Sequence, residues 1–169
     1  MTKAFVFSAV AAALLVAGAP AFAQEAWAMP GEEPRDPYTV SDANAGATPF
    51  PDDAMFKAFH GKAGVDRVVA AFLDHAFSDP RTAEIFKPFD RVRLQRVLSE
   101  QFCYLLGGPC HYTGRDMVAT HRDIGATAAN MNTSVEHLQL AMEMEGIPFA
   151  IQNRFLAKLA PMKRKIVTQ

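Results

Sequence analysis

The chain has 169 residues, 50% of them hydrophobic, with 17 basic and 18 acidic side chains for a net charge of −1. So balanced a charge leaves no field to hold a polyanionic nucleic acid or an anionic membrane face, and the length suits one domain with a real core. Small molecules and proteins remain as partners.

The N-terminus reads as a targeting segment. Lys3 precedes an apolar run from Ala4 to Val16, followed by Gly18, Pro20 and the small-residue stretch Ala21, Phe22, Ala23. That is the pattern of a secretory signal peptide over residues 1–23, too short and wrongly flanked for a spanning helix, with cleavage expected after Ala23. The expectation is an exported chain, periplasmic or secreted, with no membrane span once the signal is removed. Residues 24–53 carry Pro30, Pro34, Pro37, Pro49 and Pro51 without a sustained apolar period, and they read as a Pro-rich flexible arm. Trp27, the only tryptophan, falls in that arm.

The remainder, 54–169, reads as one all-α domain. Val65, Val68, Val69, Phe72, Leu73, Ala76 and Phe77 recur at helical spacing from Gly64 onward, until Asp79 and Pro80 stop the pattern. A short segment with Ile85, Phe86 and Phe89 leads to a second helix whose face holds Leu94, Val97, Leu98, Gln101, Phe102 and Leu105, ended by Gly107. Met131, Val135, Leu138 and Met142 mark a third helix ending at Gly146; Pro148 suits the first turn of a fourth, striped by Phe155, Leu159, Met162 and Ile166. No alternating run predicts a strand.

Between the second and third helices lies "GGPCHYTGRDMVATHRDIG", residues 107–125, where glycines, Cys110, Tyr112 and His121 gather. Cys103 and Cys110 make an even cysteine pair in an exported chain; the Gly-Gly-Pro turn between them allows a bridge, with two buried thiols as the alternative. The five histidines, His60, His75, His111, His121 and His137, show no zinc-site spacing, and no serine or cysteine stands in a nucleophile elbow. No phosphate loop or dinucleotide fingerprint is present. A single histidine between apolar helices can hold a haem iron, although a histidine ending "MVATH" is, on pattern alone, more often a partly exposed helical residue.

The order of these features resembles the truncated haemoglobins of group one, a short globin fold with two helices over two. The resemblance runs from about Met55 to Val167. It rests on the Val68, Val69, Phe72 helix followed by Asp79, on Phe86, on "GGPCHYTG" and on "MVATH"; "EQFC" before "GGPC" is similar to an exported bacterial subset. It implies that His121 is the proximal ligand of a non-covalent haem b, that Met117 packs on the same face and that Phe86 wedges against the macrocycle. Leu94, Leu98 and Met131 become haem contacts, and Arg93 and Tyr112 propionate contacts.

The pattern departs from better-known members on the distal side. Leu73 and Leu98 stand where those place a Tyr and a Gln, and Leu94 where many globins have a histidine. Gln101, one helical period further, is either the missing polar donor or a partner for a backbone group or buried water. Ala126 and Met131 are smaller than the usual wall residues, Ser134 adds a hydroxyl, and His75 should point off the pocket face. The implied function is reversible binding of a diatomic gas such as oxygen, carbon monoxide or nitric oxide, by a monomeric haem protein rather than an enzyme. The rivals are a haem-dependent nitric oxide dioxygenase or peroxidase, and a haem-free helical interaction module.

Overall fold

The computed structural model describes residues 30–33 and 35–167. The expected signal peptide, its cleavage site and Trp27 lie outside the described residues. Those residues hold eight α-helices and no strand: α1 Ala54–Ala58, α2 Gly61–Ser78, α3 Ala83–Phe86, α4 Arg91–Leu105, α5 Met117–His121, α6 Ala128–Met144, α7 Phe149–Leu159 and α8 Lys163–Ile166. Two 3-10 turns, Asp42–Ala45 and Ala160–Met162, complete the order. None of these helices is long and apolar enough to cross a membrane.

Local chemistry sets the helix ends. Asp90 caps α4 by accepting from the Val92 and Arg93 amides, at 2.9 and 3.2 Å, and Thr127 and Asn130 form a reciprocal capping box on α6. At the end of α2, Asp79 turns extended (ψ 121°) because the following Pro80 disfavours a helical residue before it. The last apolar stripe runs through one predicted helix but three observed pieces, α7, the 3-10 turn and α8. Pro161, which has no amide hydrogen to continue the ladder, sits at the start of that turn.

Helix α2 is the hub, packing on both α4 and α6, while α6 also meets α7. Its stripe of Val65, Val68, Val69, Leu73 and Ala76 is wholly buried. Phe155 of α7 meets Phe59 and Phe102 edge-on, with ring centroids at 5.2 and 5.0 Å, a geometry worth roughly 0.5–1.5 kcal/mol per pair beyond area burial. This half of the molecule is closely packed.

The Gly-Gly-Pro turn is a crossing point for the chain. Cys103 and Cys110 are joined by a disulfide, Cα atoms 5.8 Å apart. A side chain at Gly107 (φ 83°) would strike the Asp52 carbonyl at 2.0 Å, and one at Gly108 would strike Cys103 Sγ and the Phe56 ring, each at 2.7 Å. Both glycines are required because the 50–56 segment lies against them, its Phe50 and Phe56 amides donating to the Leu105 and Leu106 carbonyls at 2.9 and 3.1 Å.

The described part of the expected arm is therefore not a free tether. Ala45 is fully buried in the core, Asp42 accepts from the Tyr112 amide at 2.7 Å, and Asn44 donates to the Thr39 and Gly114 carbonyls. Lys158 and Arg154 stand over the Phe50 ring. Docking here uses single anchors and polar contacts to the body, which leave no periodic apolar stripe to read.

Candidate functional site

The N-terminal half of α4 is built differently. Its stripe of Leu94, Val97 and Leu98 is only half-buried, as are Phe86, His121 and Met131. Phe86 leans edge-on against Phe72 and, tilted, against Phe77, with centroids at 6.0 and 5.9 Å. Leu73, expected to be a distal residue, is entirely buried behind this surface in the α2 core.

Facing α4, the short α5 is fixed at its start by Asp116, whose carboxylate accepts from the Val118 and Ala119 amides, both at 3.0 Å. Met117 is buried beneath it. At its end, His121 places Nδ1 2.8 Å from the Met117 carbonyl oxygen, one turn back. A carbonyl can only accept, so Nδ1 carries the proton and donates, and Nε2 keeps its lone pair. Burial pushes the imidazole pKa below its ordinary 6.5, and the Met117 hydrogen bond opposes that shift. The ring is thus neutral near pH 7, with its tautomer and orientation set for ligation through Nε2.

Arg93, Leu94 and Tyr112 come together around one cleft of about 130 Å³, with Val97, Phe89 and Thr120 in its wall. Thr120 adjoins His121, whose ring is turned back onto Met117 and does not itself line this cleft. Tyr112 is buried, and its hydroxyl donates to the Arg115 carbonyl at 3.0 Å. Burial above all, with Tyr38 and Glu100 nearby, raises its pKa, so it remains a phenol and a donor. The glycine of the Tyr-x-Gly motif follows from this: a Cβ at Gly114 would lie 2.1 Å from the Tyr112 hydroxyl.

Gln101 takes the structural role of its two readings. It is buried, and its amide donates to the Ala45 carbonyl at 2.8 Å, with Met117 Sδ at 3.5 Å. The amide hydrogens are thus turned toward the 3-10 turn and α5. His75 stacks on His137 at 5.8 Å, and His137 pairs with Asp79 at the C-terminal end of α2, so His75 belongs to that cluster.

The sequence reading missed a polar network on the rim of the cleft. Arg93 donates to Glu32 at 3.3 Å and to the Tyr38 hydroxyl at 3.0 Å. Arg96 pairs with Glu32 and with Glu100 at 2.8 Å, and Glu100 accepts from the Thr113 amide at 3.0 Å. The available signal was complementarity: acidic and aromatic residues in "EEPRDPY" against Arg91, Arg93 and Arg96 of α4.

Comparison with known proteins places this architecture. The family model of bacterial-like globins matches residues 54–168. A group 1 truncated hemoglobin, LI410, of Chlamydomonas moewusii is 30% identical over 122 residues, covering 67% of this chain and 69% of the relative. The crystal structure of the truncated hemoglobin from Tetrahymena pyriformis in its Fe(III) form superposes with a TM-score of 0.65 at 20% identity, over 68% of this chain and 98% of that one. The 2/2 hemoglobin of Synechococcus sp. PCC 7002, in the cyanomet state and with covalently attached heme, gives a TM-score of 0.63 at 20% identity, again over 68% and 98%. On the family match over residues 54–168 and the 30% identical relative, the chain belongs to the bacterial-like globin family as a truncated haemoglobin of group 1, with the two-over-two helical fold of its structural neighbours.

Proposed function

We propose that the protein binds haem in the gap between α4 and α5, with His121 Nε2 as the proximal iron ligand, and that a diatomic gas binds on the opposite face. One observation carries this reading: the His121 Nδ1 hydrogen bond to Met117, which leaves a half-buried, neutral imidazole whose Nε2 has no hydrogen-bond partner among the described residues. The residues fit the group in kind, with Leu94, Val97, Leu98, Phe86 and Met131 as apolar walls. Arg93 supplies a cationic donor at the rim for a carboxylate, while the Tyr112 hydroxyl beside it is engaged with the Arg115 carbonyl. The cleft of about 130 Å³ beside Arg93 and Leu94 would take one edge of the macrocycle rather than the whole.

When bound, the iron supplies an open coordination position for a gas. The chain's part is to hold the macrocycle and to set the polarity of that position. Leu94 and Leu98 offer no donor, and the Gln101 amide is engaged with Ala45. A ligand that gains negative charge on binding is therefore held weakly, and carbon monoxide, less polar when bound, suffers less. That wall favours gas binding over the bond cleavage of a dioxygenase or peroxidase. Both described cysteines are bridged, which suits non-covalent haem b and an exported, oxidising location after signal cleavage at Ala23. We take the monomer as the working unit.

The test is an absorption spectrum of the protein with added hemin, reduced and then exposed to carbon monoxide. A stoichiometric Soret band that shifts with carbon monoxide is expected. Absence of such a band would leave a haem-free helical module as the better description.

A further inference from the structure

The segment before α1 that carries Glu32, Arg35 and Tyr38 lies outside the matched family region, which begins at residue 54, yet it covers the mouth of the cleft. Arg35 and Tyr38 form part of the cleft lining beside Arg93, Leu94 and Tyr112. The segment is held on both sides. Toward α4, Glu32 meets Arg93 at 3.3 Å and Arg96 at 3.0 Å, its side chain fully buried between them. The neighbouring Glu33 amide donates to Asp90 Oδ2 at 2.8 Å, while Oδ1 of that carboxylate caps α4. Toward the loop before α5, the Tyr38 hydroxyl donates to the Thr113 carbonyl at 2.7 Å and accepts from Arg93. Arg115 lies over the Tyr38 ring at 5.0 Å and donates to the Asp36 carbonyl at 2.9 Å.

We propose that this segment is a strap, latched by Glu32 on Arg93 and Arg96, that closes the edge of the α4–α5 gap and sets the rate at which haem enters and leaves. The inference rests on the haem reading above and adds to it a part of the chain outside the matched globin region. The strap ties α4 to the loop that leads into α5, for it bonds α4 and its cap Asp90 through Glu32 and Glu33 and the 111–116 loop through Asp36 and Tyr38. The latch also has the chemistry of what it would yield to. Arg93 holds a carboxylate of the chain at the rim, and a propionate can take that place without stranding a buried cation, so exchange is carboxylate for carboxylate. Removing the Glu32 carboxylate alone takes from the half-buried Arg93 its carboxylate partner on the strap and loosens the strap, while the α2–α6–α7 core stays folded.

The full chain allows a two-part test, because Arg35 is an exposed trypsin site within the strap. Glu32→Ala is compared with the parent and with Glu33→Ala, whose side chain on the same segment is 72% exposed. Cleavage after Arg35 is followed without haem, and hemin release is followed as transfer to an excess of a haem-scavenging apoprotein. We expect Glu32→Ala to raise both rates about tenfold, as for opening of a locally latched segment, and Glu33→Ala, which removes only an exposed contact to Arg35, to leave hemin release unchanged. Hemin release at the parental rate from Glu32→Ala overturns the strap, whether or not cleavage accelerates. A parent that forms no Soret band overturns the functional reading itself and the proposal with it.

Discussion

The two halves of α4, residues 91–98 and 99–105, carry one apolar stripe into different surroundings. Toward α2 and α7, Phe102 meets Phe155, and Val65, Val69, Leu73 and Met142 lie within the same core, each 5% exposed or less. Toward α5, Leu94, Val97, Leu98 and, nearby, Phe86 and His121 are all left half-buried. One stripe thus runs from an end whose apolar groups the chain buries to an end whose groups it leaves half-exposed, and an apolar gap rimmed by cations is what a binding surface looks like.

The largest expected effect breaks the packed side. Phe155→Ala should cost about 3–5 kcal/mol, since it empties the space between Phe59 and Phe102; Leu98→Ala should cost well under half of that in the haem-free protein. Denaturant unfolding of both variants checks the contrast, and equal losses would erase the distinction between the two halves of α4. Next comes the bridge: replacing Cys103 and Cys110 together by serine should cost about 2.5 kcal/mol on the loop-entropy account for so short a loop, read as a drop in Tm.

A smaller effect sharpens the role of Gln101. Gln101→Leu removes the bond to the Ala45 carbonyl and should cost about 1–2 kcal/mol, with carbon monoxide and oxygen dissociation rates of the loaded protein unchanged. A marked kinetic change would return Gln101 to the ligand side.

The smallest effects are read against pH. The Arg67 guanidinium, with help from His60, holds the Glu145 carboxyl at about 2 instead of its ordinary 4.5. Its contribution, about 1 kcal/mol for a solvent-screened pair, is fully present above pH 4.5 and lost as pH falls toward 2. His121 has the opposite chemistry but the same sign. Its folded-state pKa lies below the ordinary 6.5, so below that pH the unfolded chain binds more protons and stability falls with acidification. A Glu145→Gln variant should flatten the acid limb, and His121→Ala should remove the decline just below pH 6.5; pH-dependent unfolding midpoints measure both.

How far the sequence reading reached depends on whether a feature repeats. The α2 stripe from Val65 to Ala76, the stop at Asp79 and Pro80, and the α4 stripe ended by Gly107 are periodic or punctuated, and they were legible. So was the placement of His121 at the end of "MVATH", though not its hydrogen bond to Met117. The docked segment before α1 was not, because Ala45, Phe50, Glu32 and Tyr38 act singly and their partners lie more than fifty residues away. Pro161 was visible, but an apolar stripe continuing to Ile166 masked the break it causes.

The central claim is that the half-buried gap is completed by a haem held on His121. The most direct measurement is hemin titration of His121→Gly with and without added imidazole. The account predicts a strong Soret band in the parent, its loss in the variant at unchanged helical content, and its return when free imidazole fills the vacated place. A full parental band in His121→Gly without imidazole would contradict it.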